Sequence, residues 1–412
     1  MCCEASSGAE RSSPHCEDHR VRTVVVSDLH LGVRAGTDVA RRPEARPRLV
    51  EAVRGADRLV LLGDVFELRE RSLADVLALS RPLLEELADA LAGEREIVLV
   101  PGNHDHALIG RLGASIGGEG GPWSLERRLR PAPADPLARM ASDLAPVRLE
   151  FAYPGLWVAD GVYATHGHYM DAHSRVPMVE GLAIALSARV RGGPPGLEST
   201  PVDYERVVSP VYRASTTIGR GQSIGRGRAG GVSMGLYERL VRRAPDVEHG
   251  DGIVRRRPAT EGSGSSPAPA GPGDRLLSRA IPRAVAAVNG LGLGPFHPDV
   301  SGPALRRAGL KAMAEVVRRL DIEAEHVVFG HTHRPGPLPA DGDEWTLPGH
   351  DGRAPTRLVN TGSWVYPPRF LATGPSDSPY WPGRCVVVDE GSAPRLIHPL
   401  ADAGHEELAP TG

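Results

Sequence analysis

Lysine is almost missing from this chain: Lys311 stands alone among 48 basic residues, and the rest are arginine. Ala, Gly, Pro and Arg are abundant, which fits a coding bias better than an arginine-based binding function. The formal net charge is -3, so there is no overall basic field of the kind that gathers nucleic acid. Cysteine is also sparse. Four residues, Cys2, Cys3, Cys16 and Cys385, do not make a disulfide framework in a chain of 412 residues. Three of them share a polar N-terminal tail with His15 and His19, at a spacing that matches no standard zinc site. The reading for residues 1–20 is a disordered tail. No run of ~18 apolar residues is present to span a membrane. The start lacks the charged and then apolar pattern of a secretory signal. A cytoplasmic protein with reduced thiols is expected, with peripheral membrane contact left open.

What is present is a series of short apolar runs that end on metal-capable side chains. Val24-Val25-Val26 stops at Ser27-Asp28-Leu29-His30, and Arg58–Leu62 runs into Gly63-Asp64. Ile97–Val100 is followed by Pro101-Gly102-Asn103-His104-Asp105, and Leu156–Ala164 by Thr165-His166-Gly167-His168. Val327–Phe329 meets Gly330-His331-Thr332-His333. The first run reads as a strand buried on both faces, and the others read as strands that end in the same way. Alternation along an extended chain would turn Asp28 and His30 to one side. Helical spacing appears over 44–53 and through Leu73, Val76, Leu77, Leu83, Leu84, Leu87 and Leu91, where Pro82 is expected to break the segment in two. Strand, helix, strand, helix, strand implies a layered α/β sheet.

Residues 108–145 look irregular, and 147–151 pairs with 156–164 across a Pro154-Gly155 turn. Between 171 and 300 the character changes to short helical pieces, such as 177–190 and 232–242, separated by Gly- and Pro-rich breaks. Residues 255–273 are a low-complexity linker. The whole stretch reads as an insertion on a core made of residues 21–170 and 301–400, with 401–412 a tail. A helix returns at Leu305, Ala308, Ala312, Val316 and Leu320, with Pro303 in its first turn.

Ligands in open α/β sheets collect at the carboxyl ends of strands, so Asp28, His30, Asp64, Asn103, His104, His166, His331 and His333 are expected to converge. Carboxylate, amide and imidazole without thiolate suit a divalent ion such as manganese, iron or zinc. Asp-x-His, Gly-Asp, Gly-Asn-His-Asp, a lone His and Gly-His-x-His, in that order, resemble the calcineurin-like metallophosphoesterase family. The resemblance implies a two-sheet β-sandwich flanked by helices and a dinuclear-metal phosphohydrolase. By its pattern Asp28, His30, Asp64 and His333 hold one ion, while Asp64, Asn103, His166 and His331 hold the other. Two divalent ions roughly 3.5–4 Å apart, most readily Mn2+, would clamp phosphate oxygens and supply a bridging hydroxide. His104 is the implied general acid, with Asp105 orienting its ring.

Departures narrow the family. Glu67 stands where purple acid phosphatases carry a tyrosine ligand, and Glu67-Leu68-Arg69 does not reproduce the arginine motif of protein serine/threonine phosphatases. Asp28–Gly32 with Gly63–Glu67 is closer to the UDP-2,3-diacylglucosamine pyrophosphatase branch, although that branch usually has arginine where this chain has His104. The insertion lies between His166 and His331 and is expected to cap the cleft. Its segments 182–186 and 281–293 read as helix packing in preference to an acyl groove. His168 and Asp171 are either outer support or loop residues. Asn360–Ser363 reads as a structural turn, and His106, His173, His297, His326, His350, His398 and His405 as ordinary surface or loop residues. A small or amphipathic phosphoester is the expected substrate. The rival readings are a metal-dependent nuclease, disfavoured by charge, and a non-catalytic scaffold, which would have lost ligands.

Overall fold

The computed structural model describes residues 20–113, 123–174, 179–222, 302–349, 352–368, 371 and 378–410. Strands β1 (Arg22–Val26), β2 (Arg58–Leu62) and β3 (Glu96–Val100) form where branched aliphatics run together, and each is buried beyond its first residue. They lie parallel, with Val24 opposite Leu59 and Val60 opposite Val98. Strand β5 (Arg148–Ala159) continues parallel to β3 and then pairs antiparallel with β6 (Val162–Thr165). Two more parallel steps reach β7 (His326–Phe329) and β9 (Thr356–Asn360). At the other edge β10 (Cys385–Asp389) and β11 (Arg395–Ile397) add antiparallel to β1, while β8 (Thr346–Leu347) closes on β9 and β4 (Glu126–Leu129) on β5. The order is β11-β10-β1-β2-β3-β5-β6-β7-β9-β8.

Side-chain alternation splits the core in two. Val24, Val26, Leu59, Leu61, Ile97 and Leu99 bury against helices α1 (Arg46–Val53), α2 (Leu73–Leu91) and their neighbours. Val25, Val60, Leu62, Val98 and Val100 join a second cluster with Leu156, Ala164, Val328 and Val386, to which no helix among the described residues contributes. Strand residues that are fully buried without helix cover must be covered by other strands. The sheet therefore curls over itself. The expected α/β class holds, and the two expected sheet layers are wings of one hydrogen-bonded sheet.

Several sequence expectations change. The helix over Leu73–Leu91 is continuous through Pro82. Pro82 and Ala78, whose carbonyl loses its partner, both face water, so the apolar face packs without interruption. Strand β5 passes straight through Pro154-Gly155, and the reversal falls at Asp160-Gly161, where Gly161 takes φ +68°. The stretch taken as irregular contains α3 (Ala107–Arg111), β4 and α4 (Pro136–Asp143), the last capped by the Asp135 carboxylate. Beyond β6 come α5 (Val179–Val190), within the helical piece read at 177–190, and a long α6 (Pro201–Gln222) that periodicity did not reveal. Then α7 (Gly302–Arg319) leads into β7 and α8 (His405–Leu408) ends the described chain. The N-terminal Cys/His tail, the helical pieces at 232–242 and 281–293, the linker 255–273, His297 and His350 lie outside the described residues. Among the described residues no helix is long and apolar enough to cross a membrane.

Replacing Pro82 by alanine restores a backbone donor on the exposed face of α2. We expect Pro82→Ala to raise unfolding free energy by about 1–3 kcal/mol in urea denaturation. A lower urea midpoint would show that proline is required there.

Candidate metal centre

The carboxyl ends of β1, β2, β3, β6 and β7 lie together, but extended alternation is not what aims their side chains. Each strand ends first. Asp28, His30, Asp64, His331 and His333 then adopt left-handed φ of 55°, 45°, 50°, 66° and 58°. Such values are uncommon outside glycine and cluster where surrounding structure holds them for function. The loops after β1 and β2 are zipped together through Asp28 N–H to Gly63 O, His30 N–H to Asp64 O and Leu31 N–H to Val65 O, at 3.0, 2.8 and 2.8 Å. Gly63 sits at φ +82° with the His166 ring packed where a Cβ would stand. No other residue type fits there.

Two groups of donor atoms result. In the first, His333 Nε2 lies 3.2 Å from Asp28 Oδ1 and 3.2 Å from His30 Nε2. His30 Nε2 is 3.6 Å from Asp64 Oδ2. In the second, His166 Nε2 lies 3.4 Å from that same Asp64 oxygen and 3.2 Å from Asn103 Oδ1, which is 3.1 Å from His331 Nδ1. Separations of this size are those of ligands about 2.0–2.2 Å from a common cation. The set fits divalent ions on three further counts. Asp28 Oδ1 is fully buried yet makes no hydrogen bond. Three imidazoles have their outer nitrogens engaged: His166 Nδ1 by the Leu62 carbonyl at 3.0 Å, His30 Nδ1 by Glu67 at 3.1 Å, and His331 Nε2 by Asp171 at 2.9 Å. This leaves the inner nitrogens as donors, the usual support of a histidine ligand. Finally, the Asn103 oxygen points at ring nitrogens. Turned over, the amide would donate to His331, His166 and Asp64 and accept from Arg69 at 2.9 Å, so the turned amide is the better bonded one without a cation, and the oxygen would face inward only toward a bound ion.

His104 occupies the rim, with 27% of its side chain exposed and Nδ1 2.7 Å from Glu67 Oε2. Its ring falls within 4.8 Å of ligand atoms on His30 and Asp64. Asp105 does not orient it. The Asp105 carboxylate is fully buried and accepts from Gly102 N–H at 2.6 Å, Val65 N–H at 2.8 Å and Phe66 N–H at 3.2 Å. It fastens the β2 and β3 loops and makes no hydrogen bond to the ring, whose Nδ1 is taken by Glu67. The orienting group is Glu67, which sequence reasoning passed over. A carboxylate inside the apolar run Val65-Phe66-Glu67-Leu68 was the available signal. Burial opposes ionisation of Glu67, but His104 and His30 hold its pKa well below the usual range. Burial and the nearby Arg69 guanidinium lower that of His104. His106 is also not a surface residue: it is buried, 2.9 Å from Glu205 of α6. His168 is buried against Tyr153 at 2.9 Å, and Asp171 takes the supporting place named above. Asn360 Oδ1 accepts from Gly362 N–H at 2.8 Å, as a structural turn requires.

Residues 21–181 match the family model of the calcineurin-like phosphoesterases. The resemblance to that family is shown over this segment. No curated protein matches the chain. Among solved structures, a dimetal phosphatase from Danio rerio is 11% identical with a TM-score of 0.26, covering 92% of this chain and 98% of its own. A cold-active protein-tyrosine phosphatase from a psychrophilic Shewanella is 12% identical with a TM-score of 0.24, covering 91% and 77%. Both are too distant in shape to bear on fold or chemistry. Nothing among these matches singles out the UDP-2,3-diacylglucosamine pyrophosphatases. The segment that matches the family model contains Asp28, His30, Asp64, Asn103, His104 and His166, while His331 and His333 follow β7, beyond it. The family match and the grouped ligands support metal-dependent phosphoester hydrolysis.

Without a cation His30 and His166 hold protons at neutral pH. Burial disfavours charge on His30, yet the hydrogen bond to Glu67 and the Asp64 carboxylate push its pKa up to about 9. Burial is likewise overcome at His166, where Asp64 pushes it to about 10. A cation must displace these protons, so its affinity rises with pH up to that range. We expect Mn2+ binding at pH 7.5 to release protons, read by calorimetry in buffers of differing ionisation enthalpy. Buffer-independent heats would contradict it.

Proposed function

We propose that this calcineurin-like phosphoesterase is a dinuclear-metal phosphohydrolase that cleaves a phosphoester or phosphoanhydride bond. Asp28, His30, Asp64 and His333 would hold one divalent ion, and Asp64, Asn103, His166 and His331 the other. The observation that carries this reading is Asp64 Oδ2, 3.6 Å from His30 Nε2 on one side and 3.4 Å from His166 Nε2 on the other. Its Oδ1 accepts the His104 N–H at 2.7 Å, which fixes the carboxylate plane. When bound, two such ions neutralise phosphate oxygens and acidify water, and Mn2+ suits the carboxylate, amide and imidazole set.

The chain's own residues account for the remaining chemistry. Glu67 accepts from His104 Nδ1–H and fixes the ring, leaving Nε2 to deliver a proton to the departing oxygen. Glu67 also engages His30, so one carboxylate sets both a ligand and the proton donor. Arg69 is held by Glu180 of α5 at 2.8 Å and lies 3.3 Å from the Asn103 carbonyl. It adds positive charge beside the cleft, which favours an anionic substrate.

Wild-type protein with Mn2+ should hydrolyse bis-p-nitrophenyl phosphate, and Asp64→Asn should abolish turnover and metal uptake together. Retained turnover in that variant would overturn the reading. His104→Ala should slow alkyl phosphoesters by about 10²–10⁴-fold and p-nitrophenyl esters much less, because the latter leaving group needs no acid. Equal loss on both would remove His104 from that role.

A further inference from the structure

Helix α6 reaches the centre through a route that neither the family match nor the ligand pattern assigns. Glu205, Ser209 and Tyr212 recur at helical spacing and make one buried polar stripe. Glu205 accepts from His106 Nε2 and Tyr169 Oη, each at 2.9 Å, and from Tyr153 and Ser209. Four donors on one buried carboxylate pin the helix to the loops after β3 and β6. Seven residues further along, Tyr212 donates to Asp171 Oδ2 at 2.8 Å and lies 3.0 Å from the His168 carbonyl. The other Asp171 oxygen, Oδ1, lies 2.9 Å from His331 Nε2. His331 Nδ1 is the nitrogen turned toward Asn103.

We propose that Asp171, set in place by Tyr212 of α6, is a positioning residue that selects the Nε2–H tautomer of His331 and thereby completes the second metal site. This inference rests on the dinuclear reading above. Its physical basis is the ligand chemistry of imidazole. A carboxylate on the outer nitrogen fixes which nitrogen is bare, stops the ring from turning and makes it a stronger donor. The first site does not use this route, because Glu67 supports His30. His166, the other imidazole of the second group, is supported by the Leu62 carbonyl. Losing Asp171 therefore loosens one ligand of one ion only. Removing the Tyr212 hydroxyl leaves the Asp171 carboxylate free to swing, with a smaller effect in the same direction.

The test is Mn2+ titration of the full chain by calorimetry, with electron paramagnetic resonance to tell coupled from isolated ions and thermal unfolding of the metal-free protein to check the fold. Wild type should take up two ions and show a spin-coupled pair. Asp171→Ala should bind the first ion unchanged and the second about 10–100-fold more weakly, replacing the coupled spectrum by an isolated Mn2+ signal at substoichiometric metal. Asp171→Asn, which keeps an acceptor but loses the charge, should fall between. Tyr212→Phe should weaken the second ion less, and it carries the test if Asp171→Ala fails to fold. Unchanged second-ion affinity, or equal weakening of both ions, in a folded variant would overturn the proposal. Uptake of fewer than two ions by wild type would instead overturn the dinuclear reading itself.

Discussion

The arrangement depends on one buried carboxylate. Asp64 is 2% exposed, a position in which an ionised acid is costly unless its charge is met. Burial would raise its pKa, and the charges of His166 and His104, with His30, instead hold it well below the usual range. Its two oxygens divide the work. Oδ1 is tied to backbone, and Oδ2 faces imidazoles from two different directions. Everything that brings His30, His166 and His104 around it follows from the sheet: parallel strands end on one side, and their loops are stitched together by backbone hydrogen bonds.

That geometry explains why so much was legible in the sequence. Short branched-aliphatic runs closed by Asp28, Asp64, Asn103, His166 and His331 mark strand ends, and strand ends in such sheets are where sites form. The α/β class, strands β1 to β3 and the convergence of the eight polar side chains follow from that pattern. What was not legible depends on tertiary contact. Pro82 lies within a helix because its face is solvent, which no window of sequence discloses. Glu67 takes the part expected of Asp105 because three backbone amides claim the Asp105 carboxylate, while Glu67 reaches both imidazoles. Tyr212 and Glu205 could not be placed, since α6 is defined by what it packs against.

The helices beyond β6 are bonded to the loops that carry the candidate site. Glu180 on α5 holds Arg69, Arg220 on α6 donates to the Leu68 carbonyl at 3.0 Å, and Glu205 gathers donors from three other segments. Residues far from the strand ends thus share a polar network with them, so the loops bearing Asn103 and His166 are braced from outside the sheet.

The left-handed backbone at Asp28, His30, Asp64, His331 and His333 limits what could ever replace those residues. Aspartate, asparagine and histidine tolerate that conformation; a β-branched side chain there clashes with its own chain before any chemistry is considered. Attempts to retune the centre toward softer ions therefore have a narrow alphabet at these five places. Substitutions that keep the local fold, asparagine above all, report on charge, whereas valine or threonine would report mainly on a broken turn.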